Sequence, residues 1–324
     1  MDLLPSSEQE EIISSVRAVL TDNYTVGEPL TNELLNAASA QGWAGLALHE
    51  TAGGVGYTVV EEALLFQELG HFCVPGNFLA ASLGAAIAAE AGQSTILSSI
   101  LEGTARVSLA QRFSPTEFAV ENPLNATHAV VLHEEWIGLF EISALGENED
   151  LSPFDTLIAI SKVAAPDSAH AVAIAASPDE LRLRGSLLVA AELAGMARAT
   201  AEQSVAYAKD REQFGQPIGG FQAVKHRCAD MATLAEAAEC QVRYASLALR
   251  DRRPDAEFHV HAARVVASNA AINNAQINVQ NHGGIGFTWE HTAHRYVTRA
   301  RVRAATCGTR VTELSALIAA EPAV

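Results

Sequence analysis

The sequence predicts a mainly α-helical protein with a small β domain set between two helical regions, and three observations carry that expectation. Alanine is abundant while aromatic residues make up only 6% of the 324 residues, a composition that suits closely packed helices better than a β-sandwich. Apolar residues recur every three or four positions toward both ends of the chain, the spacing of a helix face turned to a core. Between residues 104 and 182 that spacing gives way to short β-prone runs broken by proline, asparagine and glycine. The expected organisation is therefore 1–103 helical, 104–182 a small β domain, and 183–324 a helical bundle.

Taken in order, residues 7–20 read as a helix from Ile12, Ile13, Val16 and Leu20, with Ser6 or Ser7 as the cap. Further helices are expected at 32–41, 60–70, 79–91 and 94–101. The cluster Gly53-Gly54-Val55-Gly56 lacks both the preceding buried strand and the lysine of a phosphate loop, so it reads as a structural turn. Strands are expected at 106–111, 129–133, 136–142 and 156–161, with Pro115, Pro123, Asn125, Gly146 and Pro153 in the loops between them. Trp136, among β-branched neighbours, reads as a core residue. A long helix covers 187–210, with Val189, Leu193, Ala201, Val205 and Ala208 on its apolar side, and stops near Gly215-Gln216-Pro217. A second helix follows from Phe221, Val224, Cys228, Met231, Leu234, Ala235 and Ala238, and runs back antiparallel. Arg211 and Phe214 fall where the two meet.

Composition also excludes. An apolar content of 49% over this length can bury a large core and fits about two domains. No run nears the roughly 18 apolar residues of a membrane span, and Met1-Asp2-Leu3-Leu4-Pro5 has no basic start before an apolar core, so a cytoplasmic protein is expected. Cys73, Cys228, Cys240 and Cys307 are too scattered for a zinc ribbon or a redox pair and read as free thiols; no metal is expected. A net charge of −17 argues against nucleic acid or an anionic membrane as partner. One local exception exists: residues 291–311 hold Arg295, Arg299, Arg301, Arg303 and Arg310 without a single acid. That segment reads as a solvated or inter-subunit face, or as support for nucleotide phosphates.

Two motifs carry a resemblance. Tyr207-Ala208, Arg211, Phe214-Gly215, then Phe221-Gln222 and Ala229-Asp230-Met231, resembles the helix-turn-helix signature of the acyl-CoA dehydrogenase family. Gln280-Asn281-His282-Gly283-Gly284-Ile285-Gly286-Phe287 resembles that family's Q-x-x-G-G-x-G-[YF] element. The N-terminal Gly42-Trp43-Ala44-Gly45 and the 53–56 glycines are similar to its helical domain, with His49 where the family has proline. The resemblance implies an N-terminal helical domain, a middle β domain and a C-terminal four-helix bundle. It also implies FAD as cofactor and α,β-dehydrogenation of an acyl-CoA thioester, with an electron-transfer flavoprotein or its equivalent as acceptor. Cofactor contacts carry over to Arg211, Gln213, Phe214, Ile218, Gln280, Asn281, Gly283 and Gly284.

The sequence departs from the family in two places. The middle domain of typical members carries a Thr-Glu-Pro-x-Ala-Gly-Ser-Asp segment against the flavin, and the nearest counterpart here, residues 112–118, does not keep it. The family's base is a glutamate in an Ile-Tyr-Glu-Gly-Thr segment, matched by Ala305-Thr306-Cys307-Gly308-Thr309, or in some relatives a glutamate ten residues before a glycine matching Gly195. Those positions hold Cys307 and Gly185, so neither carries a carboxylate; Ser186 stands where an arginine usually follows. A thiol with an ordinary pKa of about 8.5 is a poor substitute near neutrality, and Glu192 sits about two helical turns from Gly185. The pattern resembles the non-base subunit of heterotetrameric (α2β2) bacterial steroid-side-chain acyl-CoA dehydrogenases, in which a second subunit supplies the glutamate. Two rivals remain: a self-sufficient homo-oligomeric dehydrogenase with a displaced base, and a non-catalytic helical interaction protein.

Overall fold

The structure, a computed structural model, describes residues 3–122 and 125–320. Pro123 of the expected loops, and Met1 and Asp2 of the N-terminal reading, lie outside the described residues. The chain divides into two compact units: one of Ala18–Glu62 and Pro75–Gly185, the other of Met1–Arg17, Ala63–Val74 and Ser186–Val324. Helices α1 (Ser7–Asn23), α3 (Val59–His71) and α6 (Pro178–Asp210) have residues in both. Ser6 caps α1: its hydroxyl accepts from the Gln9 amide at 3.2 Å, and Gln9 Oε1 accepts from the Ser6 amide at 3.0 Å.

The first unit contains α2 (Asn32–Ala40), α4 (Phe78–Glu90), α5 (Ser94–Leu101) and a seven-stranded sheet. Its strands are β1 (Val107–Ser114), β2 (Glu117–Glu121), β3 (His128–Leu132), β4 (Ile137–Glu141), β5 (Asn148–Leu151), β6 (Ile160–Ala164) and β7 (Ala173–Ile174), in the order β5-β6-β2-β1-β3-β4-β7. All pairs are antiparallel except β1 with β3. Three of these strands escape the periodicity reading: β2 and β5 carry too many acids to look β-prone, and β7 has two residues. The run expected at 156–161 becomes a strand only from Ile160, because Asp155 accepts from the Leu157 amide and holds a turn there. Ala110, Phe118, Val120, Ala129, Val131, Phe140 and Val163 form a core on the sheet, against which Trp136 packs partly buried. Helix α4 is buried along most of its length and meets β1 and β3 through Gly84, where a Cβ would lie 3.2 Å from Val107.

The 53–56 glycines do form a structural turn. The Gly54, Val55 and Gly56 amides donate to the His49, Gly45 and Leu48 carbonyls, leaving none of these N–H groups for a phosphate.

The second unit is a helical bundle of α6, α7 (Gln222–Arg250), α8 (Ala256–His282) and the shorter α9 (Ala293–Arg303), with α10 (Arg310–Ala319) against α8. Helix α6 begins nine residues before the expected 187, at Pro178, whose fixed φ and missing N–H suit a first helical position. Gly185 therefore lies inside the helix. Residues 187–191 are buried on every side, so α6 is a core helix here and not a surface one. Two glycines let α3 and α6 touch backbone to backbone: a Cβ on Gly70 would fall 1.8 Å from the Glu192 carbonyl oxygen, and one on Gly195 the same distance from that of Gln67. Buried Asn274 of α8 donates to the carbonyls of Ala197 on α6 and Met231 on α7 at 3.0 and 2.9 Å, tying three helices at one point.

Candidate functional site

Helix α6 ends at Asp210 and gives way to a two-residue β-hairpin, β8 (Glu212–Gln213) paired with β9 (Gln216–Pro217). Its tip is Phe214-Gly215, with φ of 54° and 78°. Two left-handed residues between paired strands form the turn whose twist matches the ladder. Glycine adopts that conformation readily, but for a phenylalanine it is strained, and strain in a bulky residue is worth asking about. Phe214 is 93% exposed, so its own fold does not repay the strain. The Arg211 guanidinium is also exposed and has no partner among the described residues; only its backbone is engaged, accepting from the Ile218 amide at 2.7 Å. Gln213 is exposed and Ile218 half-buried.

The second motif lies at the end of α8. Gly283 has φ 64°, and Gly284 has an ordinary backbone; a Cβ on either would meet nothing within 4 Å. Gly284 is therefore required neither by conformation nor by packing against the described residues. By contrast Gly286 is internal, since a Cβ there would lie 2.9 Å from the Val279 carbonyl. Gln280 is exposed, whereas the Asn281 amide turns inward and lies 3.9 Å from both Cys228 Sγ and Met231 Sδ. Ile285, Phe287 and Trp289 continue the loop as exposed apolar side chains, with the Arg295 guanidinium 4.9 Å from the Trp289 ring.

Tyr207, one turn before Arg211, joins the two motifs. Its ring lies 4.2 Å from that of His282, which lies 4.3 Å from His291. Burial holds both histidines below their ordinary pKa, and for His291 the neighbouring His282 and His294 push the same way. Composition and spacing assigned these rings no role, although Tyr207 and His282 stand inside both motifs. A tyrosine four residues before the arginine and a histidine just before the glycine pair were the available signal.

The two base positions hold no carboxylate, as read. Yet Glu313, buried in the first turn of α10, reaches the neighbours of both. Its carboxylate accepts from Ser186 Oγ at 3.2 and 3.3 Å and meets His261 Nδ1 at 2.7 Å. A Cβ on Gly308 would lie 2.6 Å from Glu313 Oε1. Arg264, 1% exposed, donates to the carbonyls of Arg303, Thr306 and Gly308, with its Nε 4.0 Å from Glu313. Periodicity cannot find this carboxylate, which sits 52 residues from His261 and 127 from Ser186. A buried arginine on the alanine-rich α8 demands an anion, and that was the clue.

Elsewhere the structure sorts the basic segment. Arg299 and Arg303 are not on a solvated face: both are buried, Arg299 donating to the Cys73 carbonyl at 3.1 Å and Arg303 to Glu192 at 2.9 Å. Glu192 is thus an inter-helix carboxylate. Arg301 and Arg310 are exposed. In the sheet, residues 112–118, the counterpart of the family's flavin-side segment, run from β1 into β2 through the turn Pro115-Thr116, with Ser114 paired to Glu117.

Known proteins resemble this chain in sequence and fold. The family description "Acyl-CoA dehydrogenase, N-terminal domain" matches residues 6–107 and "Acyl-CoA dehydrogenase, C-terminal domain" matches residues 184–321. Acyl-CoA dehydrogenase IpdE2 of Mycobacterium tuberculosis is 30% identical over 289 residues, 89% of this chain and 85% of that protein. Acyl-CoA dehydrogenase FadE34 of the same organism is 46% identical over 136 residues, 41% of this chain but only 19% of that longer protein. Among solved structures, the ChsE4-ChsE5 complex from Mycobacterium tuberculosis superposes with a TM-score of 0.84 at 21% identity, over 100% of both chains. A Tcur3481-Tcur3483 steroid ACAD variant gives 0.83 at 23%, over 96% of this chain and 97% of that one.

Proposed function

Because the chain belongs to the acyl-CoA dehydrogenase family, we propose that it is the non-base subunit of a heteromeric, FAD-dependent dehydrogenase acting on an acyl-CoA thioester. The observation that carries this is the contrast between the two halves of the machinery. Cys307 and Gly185 occupy the base positions, while Arg211, Gln213, Phe214, Gln280 and Gly284 of the cofactor-facing motifs are exposed and a Cβ on Gly283 or Gly284 would meet nothing in the chain. The two-protein ChsE4-ChsE5 complex and the steroid ACAD among the structural neighbours support a heteromer and a steroid-derived acyl group.

FAD supplies the hydride acceptor of such a reaction when bound. The residues present fit one side of it. Arg211 offers a planar fork of donors to pyrophosphate oxygens, Phe214 a flat apolar face, and Gly283 and Gly284 a bare backbone that a side chain would obstruct. Gln213, Ile218 and Gln280 border that surface. Asn281 is assigned the same neighbourhood, acting through its packing at the end of α8. The sheet side does not fit, because Pro115-Thr116 is too short to reach around a ring. The partner subunit therefore supplies the remaining contacts and the glutamate that removes the α-proton. An electron-transfer flavoprotein accepts the electrons. The division 1–103, 104–182 and 183–324 belongs to this reading, supported by a sheet spanning 107–174 and by helices α6 to α10 spanning 178–319.

Co-expression with candidate base-bearing subunits of the family, followed by native mass and flavin measurement, tests the proposal. The expected result is a mixed tetramer holding one FAD per pair of unlike chains, with little flavin on this chain alone. A homo-oligomer that is yellow, stoichiometric and active by itself would overturn it.

A further inference from the structure

We propose that Glu313 closes this chain's own thioester half-site. The inference rests on the family reading of residues 185 and 307 as the places from which a base reaches the substrate, and makes no assumption about a partner. Ser186 adjoins the first position and Gly308 the second, and the Glu313 carboxylate touches both. It accepts from Ser186 Oγ at 3.2 Å, and its Oε1 approaches the turn so closely that a Cβ on Gly308 would stand 2.6 Å away. The carboxylate end of Glu313 therefore occupies the space beside the turn.

Glu313 is not placed as a base. A general base must turn a lone pair to the carbon acid at about 2.6–3.2 Å. Both Glu313 oxygens are already engaged by Ser186 and His261, and the residue is 5% exposed. It is held for another reason. Arg264 is buried, draws the carbonyls of Arg303 and Gly308 to 3.0 and 3.3 Å together with that of Thr306, and has an Nε with no hydrogen-bond partner. A buried guanidinium needs a nearby anion, and Glu313 Oε1 stands 4.0 Å from that Nε. The start of α10 is itself pinned by a reciprocal cap between Thr309 and Thr312. Closure is therefore part of the folded charge arrangement and not the chance position of one rotamer.

Binding of a non-reacting acyl-CoA thioether to the full-length chain, measured by titration calorimetry, tests this. The unmodified chain is expected to bind none and Glu313→Ala to gain one thioether per chain. Stoichiometric binding by the unmodified chain, or no gain in a Glu313→Ala protein of normal helical content, overturns the inference. If Glu313→Ala does not fold, Glu313→Ser, which keeps a hydroxyl for His261, replaces it with the same two outcomes. In the reconstituted enzyme Glu313→Gln should leave kcat within about twofold; a thousandfold loss with flavin retained would make Glu313 a base and overturn closure. Failure of the heteromer reading is seen separately, in mass and flavin content.

Discussion

Two regions inherited from the same machinery have opposite characters. Around residues 304–309 the strong groups face one another: Arg264 holds the turn carbonyls, Glu313 stands by Arg264, and His261 and Ser186 bond to Glu313. Around 211–218 and 283–289 the chain does the reverse, exposing an arginine, a strained phenylalanine and glycines that pack against nothing. Buried polar groups must be satisfied within the fold, whereas exposed ones can await a ligand. The first region bonds within the fold, and the second presents its groups to solvent.

The comparison can be broken at four points. The largest effect is expected for Glu313→Ala, which removes the foremost of the acids facing buried Arg264 and leaves Glu192, and should cost about 3 kcal/mol, read as a fall in Tm. A Tm unchanged within experimental error would show that the turn is not held by charge. Next, Arg211→Ala should weaken FAD retention by the reconstituted complex by about ten- to a hundredfold, the worth of one charge-assisted hydrogen bond of about 1.5–3 kcal/mol, with no change in Tm. Unaltered flavin content would remove Arg211 from the site.

Gly284→Ala sharpens the contrast further. Its Cβ meets nothing in the chain, so stability should be unaffected while flavin content falls; loss of stability with flavin intact would mean that the glycine serves the fold. The smallest effect concerns pH. Burial depresses the folded pKa of His282 and His291, so the neutral rings are favoured; the stability they contribute is complete above the ordinary value of 6.5 and declines as pH falls through the folded value. Acid titration of Tm should show a loss below 6.5 that is reduced in His282→Phe. An identical acid limb in both proteins would exclude His282 as its source.

Much of this was legible in the residues. Long apolar-periodic segments such as 187–210 declare a helix because local spacing encodes it, and the two motifs were marked by their resemblance to the family. Acid-rich β2 and β5 did not announce themselves, since their pairing with β1 and β6 is what makes them strands. Nor could spacing separate Arg299 and Arg303 from their exposed neighbours: which guanidinium is buried depends on Cys73 and Glu192, far away in the chain. Glu313 was hidden for the same reason.

The little hairpin at 212–217 has a kinetic consequence. Its ladder fixes Phe214 in position before any encounter, so the entropy of ordering that projection is spent during folding and not at association. Binding of the proposed flavin against it should then follow diffusion and collision, with no slow loop-ordering phase in stopped-flow mixing. Lengthening the tip with flexible residues should introduce one.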